Sequence, residues 1–192
     1  MQALSKRIHP FTIPNILTLL RIAAIPVIVI IYYLPYEWRY LASAAVFAAA
    51  GVTDWFDGYL ARKWGQSTKL GAFLDPVADK LIVAAALVLL VDAYAELWMA
   101  IPAMVIISRE ITISALREWM AEVGKRASVA VSYIGKVKTF AQMGAITGLL
   151  AVEPSLSSWI AILSFVLLYA ATVLTLWSMM IYLKAAWPDL KE

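Results

Sequence analysis

Apolar residues run along this chain in six long blocks separated by short polar breaks: Thr12–Leu34, Trp38–Leu60, Pro76–Ala95, Leu97–Leu116, Val137–Val152 and Ser157–Leu183. A helix that crosses the hydrocarbon layer needs roughly 20 mostly apolar residues. Five blocks reach or approach that length and the fifth is the shortest. The pattern predicts an all-α, polytopic membrane protein with six transmembrane helices. Gly51, Pro102, Gly144 and Gly148 fall inside blocks, where membrane helices accept them more readily than soluble ones do. Met1–Pro10, with Lys6, Arg7 and His9, is a short polar lead read as an N-terminal interfacial segment. A basic start before apolar Ile22–Leu34 loosely resembles a signal peptide. No small-residue cleavage site follows Tyr33, however, and the next block is again membrane-like, so the lead is expected to stay uncleaved.

The breaks sort by charge. One set holds Lys6, Arg7, Lys63, Lys69, Lys125, Arg126 and Lys184; the other, around Glu37–Arg39, Asp92–Glu96 and Glu153, has Arg39 as its only basic residue. The positive-inside rule then puts both termini and the second break on the cytoplasmic side, and an even number of spans agrees with this.

Composition supports a membrane protein and narrows its chemistry. The 192 residues are 63% hydrophobic, against about 45–50% apolar in soluble domains. Length favours a single domain over residues 1–192. There is no cysteine and one histidine, His9. Disulfides, thiolate nucleophiles and Cys-based zinc sites are excluded, and a Ser-His-Asp triad has almost nothing to draw on. What remains is carboxylate-oxygen chemistry, suited to Mg²⁺, Mn²⁺ or Ca²⁺. A net charge of +3 would hint at nucleic acid in a soluble protein. Here the cations sort by loop, so membrane lipid is the expected partner and nucleic acid is not.

The chemistry concentrates in Asp54–Asp79, DWFDGYLARKWGQSTKLGAFLDPVAD. Four aspartates, Asp54, Asp57, Asp75 and Asp79, sit in or beside membrane-like blocks, where ionisable groups are costly and usually functional. Four charges of one sign need cations. On a helix Asp54, Asp57, Gly58, Ala61 and Arg62 share one face, with Trp55, Phe56, Tyr59 and Leu60 opposite. Asp75 and Asp79, four residues apart, can aim two more carboxylates at one point. Asp75–Pro76 can instead be read as an N-cap with proline at the first helical position.

Two further groups stand out. Asn15, Thr18 and Arg21 interrupt the first block and fall within a ~120° arc at 100° per residue. The bland reading is a polar helix end snorkelling to the headgroups, but Arg21 lies about a turn deeper than that requires. From Ser108 to Gln142 the chain carries Arg109, Glu110, Arg117, Glu118, Glu122, Lys125, Arg126, Lys136 and Lys138. A solvated face with intrahelical pairs explains most of these, and a basic helix end facing anionic lipid explains Lys136 and Lys138. The sharper reading is a phosphate pocket.

Aspartates, small residues and nearby Arg or Lys at a membrane surface suit two divalent metals clamping an in-line phosphoryl displacement. Gly58, Ala61 and Gly71 let a nucleotide approach the backbone, and Arg62 offers planar, bidentate phosphate contact. A divalent-cation transporter is the competing reading. It is disfavoured because the aspartates cluster at one edge, whereas transporters tend to bind at the midplane between repeats.

The run Asp54-x-x-Asp57-Gly58-x-x-Ala61-Arg62, eight residues, Gly71-x-x-x-Asp75-x-x-x-Asp79 resembles the signature of the CDP-alcohol phosphotransferases at every position. Pro14–Arg21, Arg109–Arg126 and Val129–Thr139 resemble the bacterial branch that makes phosphatidylglycerophosphate. The resemblance implies six membrane helices, a homodimer and two divalent cations, Mg²⁺ or Mn²⁺. It implies transfer of a phosphatidyl group from CDP-diacylglycerol to the 1-hydroxyl of sn-glycerol 3-phosphate, with release of CMP, at the head of phosphatidylglycerol and cardiolipin synthesis. Asp54, Asp57, Asp75 and Asp79 would hold the metals, Asp79 also serving as general base. Asn15, Thr18, Gly58, Ala61, Arg62, Thr68 and Gly71 would line the CDP-diacylglycerol site. Arg109, Lys136 and Lys138, then Arg117, are the candidates for the acceptor phosphate, with Glu118 or Glu122 able to occupy Arg117 structurally. These cations favour an anionic acceptor over serine. Glycerol 3-phosphate over inositol phosphate rests on the resemblance alone.

Overall fold

The computed structural model describes residues 13–64, 68–124 and 133–190, without the side chains of residues 13–14, 55–64, 69, 72, 133–136 and 188–190. The expectations for Lys6, Arg7, His9, Lys125 and Arg126, and for the side chains of Asp57, Gly58, Ala61, Arg62 and Lys136, lie outside it. Every described element is a helix: α1 Ile13–Tyr32, α2 Arg39–Trp64, α3 Lys69–Tyr94, α4 Leu97–Glu122, α5 Tyr133–Leu150 and α6 Trp159–Leu190. The six apolar blocks thus correspond to six helices in order.

Three of the helices are long and apolar enough to cross a membrane, over Asn15–Tyr32, Leu97–Glu122 and Trp159–Trp187. The protein is an all-α membrane protein. The other three helices also carry charge at one end: α2 ends in Asp54, Asp57, Arg62 and Lys63, α3 opens with Lys69, Asp75, Asp79 and Lys80, and α5 opens with Lys136 and Lys138. Large apolar side chains such as Leu20, Leu41, Phe140, Val166 and Val173 face outward, as lipid-facing residues do.

The chain forms two compact units, Met1–Ala86 and Leu87–Glu192. In the first, α1 packs along α2 with Ile28, Ala44, Phe47 and Ala50 buried. Tyr36 and Trp38 stack at the turn between them, 5.6 Å between ring centroids. In the second, α6 packs against both α5 and α4, over a core that includes Ile106, Ile146, Leu149 and Leu168. Gly148 lets α5 approach α6, because a Cβ there would collide with the Ser164 side chain. Small residues permit such close approach where apolar burial alone does not drive helices together. Tyr94, Trp98 and Phe165 make a mutually edge-on aromatic cluster. Gly124, at φ +75°, closes α4 with its N–H on the Ala121 carbonyl, a left-handed helix end that glycine adopts without strain.

One boundary differs from the sequence reading. The third block was expected to begin at about Pro76, with Asp75 either capping the helix or lying within it; α3 begins at Lys69 and holds Asp75 and Pro76 inside it. The cap is Thr68, whose hydroxyl accepts the Gly71 N–H at 2.9 Å. That side-chain oxygen satisfies one of the donors left over at a helix start. The helix therefore begins seven residues early and carries Asp75 and Asp79 on successive turns.

Candidate active site

In the first unit, three polar residues of α1 each reach a residue of the Asp54–Asp79 stretch. The Asn15 amide meets the Thr68 hydroxyl, its nitrogen at 2.8 Å and its oxygen at 3.0 Å. The Thr18 hydroxyl donates to Asp75 Oδ1. Arg21 Nη1 donates to Asp54 Oδ1 at 2.7 Å. All three α1 residues are buried. Snorkelling is ruled out for Arg21: its side chain is 1% exposed, while that of Asp54 is 44% exposed.

These contacts gather the site. Asp54 belongs to α2 and Asp75 to α3, 21 residues apart in sequence. Their partners, Thr18 and Arg21, are three apart on α1 and so neighbours on one helix surface. Asp75 is half-buried and Asp79, one turn on, is exposed. Gly71 is held to close quarters: a Cβ there would stand 2.5 Å from Asn15 Oδ1 and 3.2 Å from Thr68 Oγ1. Its missing side chain lets α1 and the start of α3 meet. An apolar cleft of about 220 Å³ runs beside Arg21 between α1 and α2, lined by Leu17, Leu20, Ala24, Val46, Ala49, Ala50 and Thr53.

The sequence profile described as CDP-alcohol phosphatidyltransferase matches residues 11–177, which takes in this whole constellation. The chain belongs to the CDP-alcohol phosphatidyltransferase family. It is 58% identical over 180 residues to a Yersinia pestis (strain Pestoides F) protein, covering 94% of this chain and 97% of the relative. It is 56% identical over 182 residues to one from Salmonella choleraesuis (strain SC-B67), covering 95% and 98%. Both relatives carry the name CDP-diacylglycerol–glycerol-3-phosphate 3-phosphatidyltransferase.

Members of this family generally depend on divalent metal. The donor set suits that requirement: Asp54, Asp75 and Asp79 offer only carboxylate oxygens, the ligands of hard cations. Two of them are oriented by buried donors. Among the described residues no group of three acidic or histidine side chains is already drawn together, and the Asp57 carboxylate lies outside that set.

The described acceptor candidates, Arg109, Lys138 and Arg117, belong to the second unit, where each is engaged with a neighbouring side chain. Arg109 is buried, donating from Nη2 to Ser178 Oγ at 2.9 Å and from Nη1 to Glu110 Oε1 at 3.1 Å. Lys138, also buried, donates to the same Glu110 oxygen at 2.7 Å. Glu110 pairs within its own helix with Arg109, as its spacing suggested, and its carboxylate also joins α4 to α5 through Lys138. For Arg117 the sequence offered Glu118 or Glu122 as structural partners. Instead its Nη2 donates to the Tyr182 hydroxyl at 2.8 Å, and its guanidinium lies over that ring at 5.1 Å. The side chains of α6 were silent in sequence, because Ser178 and Tyr182 look like ordinary members of an apolar run. Arg21 is the other residue the sequence reading did not assign to the site. Its signal was there, since it shares an arc with Asn15 and Thr18.

Proposed function

We propose that this chain, as one domain, transfers the phosphatidyl group of CDP-diacylglycerol to the 1-hydroxyl of sn-glycerol 3-phosphate, giving phosphatidylglycerophosphate and CMP. The observation that carries the reading is the complete aspartate signature with two of its carboxylates, Asp54 and Asp75, brought to neighbouring donors on α1. The name shared by the Yersinia and Salmonella relatives supports the choice of donor and acceptor.

Asp54, Asp57, Asp75 and Asp79 would hold two divalent cations, Mg²⁺ or Mn²⁺. Bound there, the cations would supply charge neutralisation on the diphosphate and on the departing oxygen. Gly58, Ala61 and Arg62 are the proposed contacts for the cytidine diphosphate. Asn15, Thr18, Thr68 and Gly71 act behind it, since their polar groups are already engaged with each other and with Asp75. The cleft beside Arg21 suits an acyl chain. Asp79 takes the proton of the acceptor hydroxyl. The oxygen so exposed attacks the phosphorus that bears diacylglycerol, the bond from that phosphorus to the bridging oxygen breaks, and CMP leaves with that oxygen. Lys136, Lys138, Arg109 and Arg117 are the proposed cations for the acceptor phosphate, with Arg109 and Lys138 tied to Glu110 until it arrives. The substrates are anionic, so a basic approach would raise their association rate.

All six helices are proposed to cross a bacterial inner membrane, with both termini cytoplasmic and the working unit a homodimer. The deciding experiment is CMP release by the purified protein in detergent with CDP-diacylglycerol and Mg²⁺, adding glycerol 3-phosphate, serine or inositol phosphate separately. Release with glycerol 3-phosphate alone is expected. Release only with another acceptor would overturn the acceptor, and release with none would overturn the reaction.

A further inference from the structure

A buried ion pair is a weak source of stability. Replacing one with apolar side chains of similar volume is often neutral or favourable. Arg21 in an otherwise apolar helix is therefore not explained by holding α1 to α2, which Ile28, Phe47 and Ala50 do without charge. What Arg21 does is fix one oxygen of Asp54, at 2.7 Å, from a position that solvent does not reach. Three residues earlier, the buried Thr18 hydroxyl does the same for Asp75. Both acceptors are more exposed than their donors. Each carboxylate is thus gripped from its buried side. Three residues earlier again, Asn15 ties α1 to Thr68, the residue that starts the helix carrying Asp75.

We infer that α1 is the positioning element of the metal site: Arg21 and Thr18 each hold one oxygen of a ligating aspartate so that its open side faces the divalent cations. The inference rests on the metal-binding reading of Asp54 and Asp75 proposed above. Groups behind the ligands commonly set metal affinity, and losing one typically costs 10–100-fold in affinity or activity.

The test is Mn²⁺ binding by the full-length protein in detergent, followed by the electron paramagnetic resonance of free Mn²⁺. Thr18→Val removes a donor without changing charge or much volume, and should raise the Mn²⁺ dissociation constant about 10–100-fold. Thr18→Ser should restore wild-type binding. Arg21→Lys keeps the charge but loses the planar geometry, and should weaken binding by a smaller factor. The Mg²⁺ concentration for half-maximal CMP release should move by the same factors. The KM for CDP-diacylglycerol at saturating Mg²⁺ should stay within about twofold of wild type, which a merely structural role does not predict. Folded Thr18→Val with wild-type Mn²⁺ affinity would overturn the inference. If Thr18→Val does not fold, unchanged affinity in Arg21→Lys overturns it. Wild-type protein that binds no Mn²⁺ would overturn the metal reading, and the inference with it.

Discussion

Arg21 and Asp54, 33 residues apart, meet at 2.7 Å with the arginine side chain only 1% exposed. The pair gives α1 a role that a membrane anchor would not need. A guanidinium inside an apolar helix is costly unless paired, and here its partner is the first aspartate of the signature. Asn15 and Thr18 extend the same line of contacts to Thr68 and Asp75, so one face of α1 is committed to the carboxylate stretch.

Gly71 is where that commitment is tightest. An added methyl would press on the Asn15 amide, itself engaged with Thr68. Overpacking of this kind costs about 1–3 kcal/mol, and relieving helical glycine returns only about 1 kcal/mol. Gly71→Ala should therefore lower thermal stability modestly. It should lower CMP release more, because the displaced residue sits one turn from Thr18. A variant with wild-type melting and wild-type turnover would show that Asn15 moves aside freely.

Glu110 and Lys138 offer a test of the second unit. Lys138 is buried and its carboxylate partner lies on another helix. Glu110→Gln would leave the ammonium without that charge. Removing one member of a buried pair costs about 3–5 kcal/mol, and the 27% exposure of Glu110 places the expected loss near the bottom of that range. Lys138→Met added to Glu110→Gln should recover part of it, since one of the two cations that Glu110 compensates is gone while Arg109 stays. Thermal unfolding of both variants in detergent measures this. A single variant as stable as wild type would mean that solvent screens the pair.

How much of this was legible before the fold was in hand differs by kind. Helix number and order followed from the apolar blocks, because a membrane-like helix must be apolar along nearly its whole length. The start of α3 did not follow. Asp75–Pro76 carries stronger start signals than Thr68, and only the hydrogen bond from Gly71 shows which residue caps the helix. The signature aspartates were legible from spacing within a helix. Their partners were not: periodicity puts Thr18 and Arg21 on one arc, but nothing local says that Asp75 and Asp54 complete it. Arg117 shows the same limit, since two glutamates lie within five residues of it and a tyrosine 65 residues away holds it.

Two glycines of α5, one turn apart, separate packing from helix propensity. At Gly148 a Cβ would collide with the Ser164 side chain, whereas at Gly144 nothing lies within 4 Å. Gly144→Ala should be neutral or stabilising by up to about 1 kcal/mol. Gly148→Ala should destabilise by about 1–3 kcal/mol through overpacking against α6. Melting temperatures of the two proteins, compared in one detergent, decide the matter. Equal values would mean that α5 and α6 separate at little cost.

Asp79 lies one turn beyond Asp75 on α3, and it is the more exposed of the two. That suits a group that must meet an acceptor arriving from the aqueous side. Asparagine keeps the shape and a metal-binding oxygen but cannot take the proton of the acceptor hydroxyl. General-base catalysis typically contributes 10²–10⁴-fold, so Asp79→Asn should lower kcat for CMP release by about that factor. Helical content and melting temperature should not change. Asp79→Glu, which can still accept a proton from a displaced position, should retain more activity than Asp79→Asn. The comparison distinguishes a base from a ligand: if Asp79→Asn turned over like wild type, the proton would have to leave through another carboxylate, and Asp79 would lose its assignment.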